Sequence, residues 1–216
     1  MSVLVFDHTT LVTFVSAAIV VIISPGPDTI YTLTESLRHG HYAGAAAACG
    51  TATGVLVHTT AAVLGLAAIL RTSALAYTVV KYLGAAYLVY LGVQRFRHDE
   101  NFEIRSTLSA NNTSLRRSYR QAVTINVSNP KVAVFVLAFF PQFISQTASV
   151  SLQISVLGVT YAALSVLYLL IVVAFASRVR HVIVDSKRIS RFIQYASGSV
   201  LIGFGLKLVT EKQPGA

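Results

Sequence analysis

The chain has 216 residues, 54% of them hydrophobic and only 12% charged, and its mean hydropathy is +0.66. A soluble domain carries about a quarter charged residues, so this composition excludes an ordinary water-soluble enzyme. The 17 Lys and Arg against 8 Asp and Glu give a net charge of +9, but the bases sit in short clusters between apolar runs, which marks membrane topology rather than a nucleic-acid surface. Cys49 is the single cysteine, so neither an intrachain disulfide nor a thiolate metal cluster can be built.

A helix needs about 20 apolar residues to cross a hydrocarbon core of about 30 Å. Six segments qualify: Thr9–Leu37, Tyr42–Leu70, Thr72–Gln94, Gln121–Ile144, Val150–Ser177 and Phe192–Val209. The first has no Lys or Arg between Met1 and His8 and no small-residue cleavage site, so it reads as a retained span rather than a removable signal. As one straight helix it would be roughly 43 Å long, more than the core needs, and Ser24-Pro25-Gly26-Pro27 predicts a break inside it.

Alternate connections place Arg38, Arg95, Arg97, Arg105, Arg116, Arg117, Arg120, Arg178, Arg180, Lys187, Arg188 and Arg191 on one side of the membrane, against Arg71, Lys207 and Lys212 on the other. Lys81 and Lys131 fall inside segments. The twelve-to-three bias predicts a cytoplasmic side and an outer side, with both termini outside.

The two halves echo one another. Pro27 aligns with Pro130, and Tyr82, Leu88 and Gly92 align with Tyr195, Leu201 and Gly205 at one constant spacing. Halves with an odd number of spans must be inverted relative to each other, as in many secondary transporters. The expected fold is therefore an all-α integral membrane protein of six transmembrane helices, built as two inverted three-helix repeats with helices 1 and 4 broken. Residues 1–95 form the first repeat, 96–120 a cytoplasmic linker containing Asn111 and Asn112, and 121–216 the second repeat.

Proline is well placed at the first position of a helix, so Pro27 and Pro130 each open a half-helix, with Pro25 and Gly26 completing the first break. Counted from Arg38 and Arg120, both breaks lie about 15 Å deep, near the bilayer midplane. Irregular backbone there is tolerated only against protein or a watery cavity, and free N–H groups at a helix start attract a carboxylate. Asp28 suits the dipole of its own helix but is also the acid at the break, which makes it the candidate for proton coupling. Lys131 opposes the dipole of its helix and is expensive to bury unpaired. Its expected partner is Asp28 or a substrate carboxylate; the bland reading is a stem that snorkels to the surface.

Asp28, Thr32 and Glu35 share one helix face, with Glu35 close to Arg38. His58 and Lys81, midway through the second and third segments, are secondary candidates. Gly50-x-x-x-Gly54 reads as a helix-packing face, as do Gly203 and Gly205, and such faces also suit a homodimer. There is no phosphate loop, zinc-ligand spacing or nucleophile elbow, so neither cofactor nor metal nor enzymatic chemistry is expected.

Ser24-Pro25-Gly26-Pro27-Asp28, Gly50-x-x-x-Gly54-x-x-x-His58, Lys81-Tyr82-Leu83-Gly84-Ala85-Ala86-Tyr87-Leu88, Asn126-x-x-Asn129-Pro130-Lys131 and Phe139-Phe140-Pro141-Gln142-Phe143 together resemble the amino-acid efflux proteins of the LysE/RhtB family, in order and over nearly the whole chain. The chain departs from many members in carrying Asp28 where they have Asn and Val55 where they have Asp. The resemblance implies a multi-pass exporter of amino acids or their derivatives in the plasma (cell inner) membrane, driven by the proton gradient. The residues expected to bind such a zwitterion are Asp28, Thr32, Asn126, Asn129 and Lys131. An exporter of inorganic cations would want several acidic or soft ligands at membrane depth, where only Asp28 stands. An integral-membrane enzyme would need a polar cluster near the interface, and a purely structural subunit would leave the midplane charges without a reason.

Overall fold

The computed structural model describes residues 6–72, 74–97, 114–145, 148–180 and 187–210. Most of the expected linker, with Arg105, Asn111 and Asn112, lies outside the described residues, as do Lys212 and both chain ends.

The described chain is helical throughout, as its composition predicts. Helix α1 covers His8–Ile23 and α2 Pro27–His39. Asp7 caps α1 by accepting from Thr10 N at 2.7 Å, and hydrogen bonding to Thr10 holds this carboxyl below its ordinary range. Between α1 and α2 the chain bends by 57°, at the Pro-Gly-Pro run that predicts the break. Helix α2 ends at Gly40, whose φ of 86° is left-handed and whose N–H returns to Ser36 O at 3.1 Å. Helix α3 (His41–Thr72) therefore starts one residue later. This corner is pinned to the backbone of Val173, whose carbonyl receives Ser36 Oγ at 3.4 Å and His41 Nδ1 at 3.1 Å.

Helix α4 spans Ala74–Arg97 and α5 Leu115–Val127. Pro130 then opens α6 (Pro130–Val134) after a second bend, of 54°. The sequence pattern predicts one continuous half-helix here, but the structure gives a π-helical turn at Phe135–Phe139 followed by a 3-10 turn at Phe140–Phe143. Pro141 has no N–H for the carbonyl four residues back, so α-geometry cannot run through this stretch. Phe135, Phe140 and Phe143 pack instead around Phe14 of α1, edge-on at 5.3 Å for Phe140 and Phe143, while Phe139 packs against Phe135 and Phe143. Helix α7 covers Val150–Ala174, α8 Ala176–Arg180 and α9 Lys187–Thr210.

Helices α3 and α7, each over 25 described residues, are long and apolar enough to cross a membrane, and the bent pairs qualify when each is taken as one span. The described residues thus supply two to four candidate spans against the six expected. The remaining two expected segments fall on α4 and α9, of 24 residues each.

Helix α3 packs against α2, α5 and α7, while α4 packs chiefly against α9. Small residues let these backbones approach. Gly50 faces Tyr119 O and Ala122, and Gly54 faces the side chain of Asn126, so the Gly50/Gly54 face is used by α5 within the chain. In the other pair, Gly92 meets Gly198 and Ile202, and Gly205 meets Ala85 and Val89. Gly203, expected to serve packing, faces open space instead.

Candidate functional site

Both bends are built on the same backbone chemistry. In an α-helix Val21 O would accept from the N–H of residue 25, and Asn126 O from that of residue 130. Both positions are proline, so each break strips a carbonyl of its usual donor. A basic side chain from another span replaces it in each case. Lys131 Nζ donates to Val21 O at 3.2 Å and to Ser24 O at 2.9 Å. His58 Nε2 donates to Asn126 O at 3.1 Å, beside Asn129 N at 2.9 Å. Sequence reasoning leaves the ammonium with Asp28 or a substrate as its partner; the carbonyl acceptors at the end of α1 are an addition from the structure.

The helix starts differ. Gly26, the N-cap of α2, offers no side chain, whereas Asn129 caps α6 by accepting from Lys131 N at 3.0 Å. The other end of the same amide donates to Asp28 Oδ2 at 2.6 Å. Asn129 thereby ties the two half-helix starts together. Asp28, at 9% exposure, keeps its Oδ1 buried without a hydrogen-bond partner.

Asp28 lines a cavity together with Thr51, Asn126, Lys131, Tyr161 and Ser165 among others. The void is about 20 Å³, room for about one water molecule rather than an amino acid. Its wall carries further buried polar atoms without partners: both amide atoms of Asn126 and the Thr51 hydroxyl. Buried polar groups are nearly always paired, so the polar atoms without partners on residues of this one wall set it apart.

Of the residues expected to bind substrate, Asp28, Asn126 and Lys131 line the cavity, and Asn129 braces it from behind. Thr32 is fully buried one turn along α2 with an unpartnered hydroxyl, but it does not line the void. Glu35 accepts from Ser118 Oγ at 2.6 Å and pairs with His39 at 3.4 Å. Lys81 is buried in α4 with its Nζ 5.7 Å from the Tyr82 ring centre, away from this lining. Among the described residues, no three His, Cys, Asp or Glu side chains group to hold a metal ion.

The opposite wall escapes the sequence reading. It consists of Thr51 and Val55 on α3 and Tyr161, Ser165, Tyr168 and Leu169 on α7. The signal was present: Tyr161, Ser165 and Tyr168 recur at intervals of four and three along an otherwise apolar segment, a single polar stripe on a spanning helix.

Comparison with known proteins gives the family. The family model of the LysE type translocator matches residues 19–212. An uncharacterised membrane protein of Bacillus subtilis is 31% identical, covering 91% of this chain and 97% of its own. The homoserine/homoserine lactone efflux protein of Salmonella typhi is 31% identical, covering 88% of this chain and 91% of its own. The leucine efflux protein of Salmonella choleraesuis is 28% identical, with 92% and 93% covered. No solved structure matches. With the family model matched from the first broken span to the end of α9, this chain belongs to the LysE-type translocators, a family of membrane efflux proteins.

Proposed function

We propose that the protein exports an amino acid or a close derivative from the cytoplasm, coupled to the proton gradient. One observation carries this reading: two half-helix starts meet at a cavity where Asp28 Oδ1, the Asn126 amide and the Thr51 hydroxyl lack partners, and the acid and the amide are groups a zwitterion needs. Asp28 Oδ1 takes the ammonium. The Asn126 amide takes the carboxylate, in the positive field of Lys131 and the start of α6. Thr32 serves the cytoplasmic approach, one turn below Asp28. Asp28, the acid at this site, is the proton-linked group, so that protonation and ammonium binding compete for one carboxylate.

The reciprocal contacts of α4 and α9 support the inverted repeat. The alignment that matches Gly92 with Gly205 also matches Ala85 with Gly198 and Val89 with Ile202, so each glycine meets the counterparts of the residues that its mate meets. Contacts of this kind are those that antiparallel helices related by a two-fold axis would make. In that arrangement α2 leads to the cytoplasm, the second half-helix leads outward, and both termini lie outside. Admitting an amino acid requires the walls of so small a void to part, and the two breaks are where the backbone can hinge.

The test is efflux from loaded cells, with a labelled panel of neutral, basic and acidic amino acids and divalent cations, together with labelling of cysteines engineered at 105 and 187 in a Cys49-free background. Amino-acid efflux that collapses with the proton gradient is expected, with neither cysteine reached from outside. Export of the divalent cations alone would replace this reading, and labelling of position 105 from outside intact cells would overturn the orientation.

A further inference from the structure

Lys131 holds a position that its own helix does not explain. It lies in the first turn of α6, where a cation opposes the dipole, yet it is only 9% exposed. Its stem crosses the gap between the two broken spans and delivers the ammonium to the C-terminal end of α1, where Val21 O and Ser24 O receive it. Carbonyls at that end are partly negative and, after Pro25, short of donors. Gly26 completes the cradle: a Cβ there would lie 3.0 Å from Nζ and 3.5 Å from the adjacent Cε. Freed carbonyls at a broken helix end are the groups with which membrane transporters coordinate free monovalent cations.

We propose that the end of α1 is a monovalent-cation site permanently filled by a tethered ion, the Lys131 ammonium, which fastens the second broken span to the first. Lys131 is then a positioning residue. Its charge fixes the relative placement of the two half-helix starts, and so of Asp28 and Asn126 at the cavity, and it makes a diffusible cation at this end of α1 unnecessary. The proposal rests on the reading of the cavity as the transport site only for its consequence on efflux; the cation site stands on geometry alone.

Removing the side chain while leaving its space tests the idea. Purified Lys131→Ala is expected to melt at a lower temperature than the unaltered protein. Methylammonium or ethylammonium chloride should raise that melting temperature in a saturable way, with choline, too large for the gap, having no effect. Lys131→Met, which fills the gap without charge, should not respond to either amine. In proteoliposomes Lys131→Ala should lose efflux by about tenfold or more, the scale of losing charge-assisted hydrogen bonds in a buried site. Methylammonium should restore part of it, and efflux by the unaltered protein should be indifferent to replacing sodium with choline. Should Lys131→Ala fail to insert, Gly26→Ala keeps the question open to experiment, since it crowds Nζ while retaining the lysine, and it should weaken efflux severalfold.

Amine-insensitive melting of Lys131→Ala, normal efflux by Lys131→Met or Gly26→Ala, or sodium-dependent efflux by the unaltered protein would each overturn the proposal. The two readings fail separately. An amine-dependent melting shift in a protein that exports no amino acid would leave the cation site standing and remove the transport reading, whereas amino-acid efflux with amine-insensitive variants would do the reverse.

Discussion

The two broken spans use one backbone device and opposite side-chain chemistry. Each has a proline four residues after a carbonyl, and each has that carbonyl taken over by a basic side chain from elsewhere, Lys131 in the first and His58 in the second. The bends agree, 57° and 54°. Beyond the proline they part. The first helix start carries the acid Asp28 with no side-chain cap, and the second carries the neutral cap Asn129, which reaches back to hold that acid. Two alike bends thus carry unlike helix starts. In the exporter proposed above, the bends supply the hinge and the unlike starts supply a place for the two ends of a zwitterion.

The largest expected effect comes from erasing that asymmetry. Asp28→Asn makes both helix starts neutral amides. It should leave a stably inserted protein that still exchanges substrate, more weakly because the ammonium loses its counter-charge, but no longer drives it against a gradient, because the carboxylate proposed to carry the proton is gone. Counterflow and gradient-driven efflux measured on the same vesicles separate the two activities. Undiminished gradient-driven efflux by Asp28→Asn would move the coupling elsewhere.

A second variant acts on the other wall of the second break. Gly54 lies against the Asn126 side chain so closely that a Cβ would overlap its carboxamide. Because Asn126 is 1% exposed and cannot swing away, Gly54→Ala should destabilise the fold by about 1–3 kcal/mol and push the amide out of its place in the cavity. Thermal melting should fall along with substrate affinity. Gly203→Ala, on a face with nothing nearby, is the control and should change neither.

How much of this could be read in the sequence follows from where the signals lie. Proline positions carry their consequence locally, so Pro25, Pro27 and Pro130 reveal both breaks, and apolar lengths reveal the helices. The Asp28–Asn129 bond joins residues far apart in the chain, and no periodicity predicts which end of an amide faces an acid. The destination of the Lys131 ammonium was hidden for the same reason, since the acceptors are backbone carbonyls that every residue possesses. Pro141 marks where α-geometry must stop, but the form of the π turn at Phe135–Phe139 escapes, because Phe135 packs on Phe14 of α1 and Tyr161 of α7 through contacts the sequence does not show. The polar stripe of α7 was legible in principle, but hydroxyl groups in an apolar run read as ordinary helix packing until a cavity is seen beside them.

The smallest effect is expected at His58, and its size measures how far the likeness of the two breaks extends. His58 donates one hydrogen bond to a carbonyl that also has Asn129 N, so in His58→Ala Asn126 O keeps a partner and the loss should be about 1 kcal/mol. Lys131, by contrast, brings a full charge to two carbonyls, one of which Pro25 leaves without its usual donor. The expected order is therefore a mild drop in melting temperature with near-normal efflux for His58→Ala, partly reversed in His58→Gln, whose amide can still donate, against a deep loss for Lys131→Ala. Should His58→Ala prove as damaging as Lys131→Ala, and His58→Gln no better, the imidazole would have a role beyond capping α5. The two breaks would then be functional equals rather than a charged anchor and its neutral counterpart.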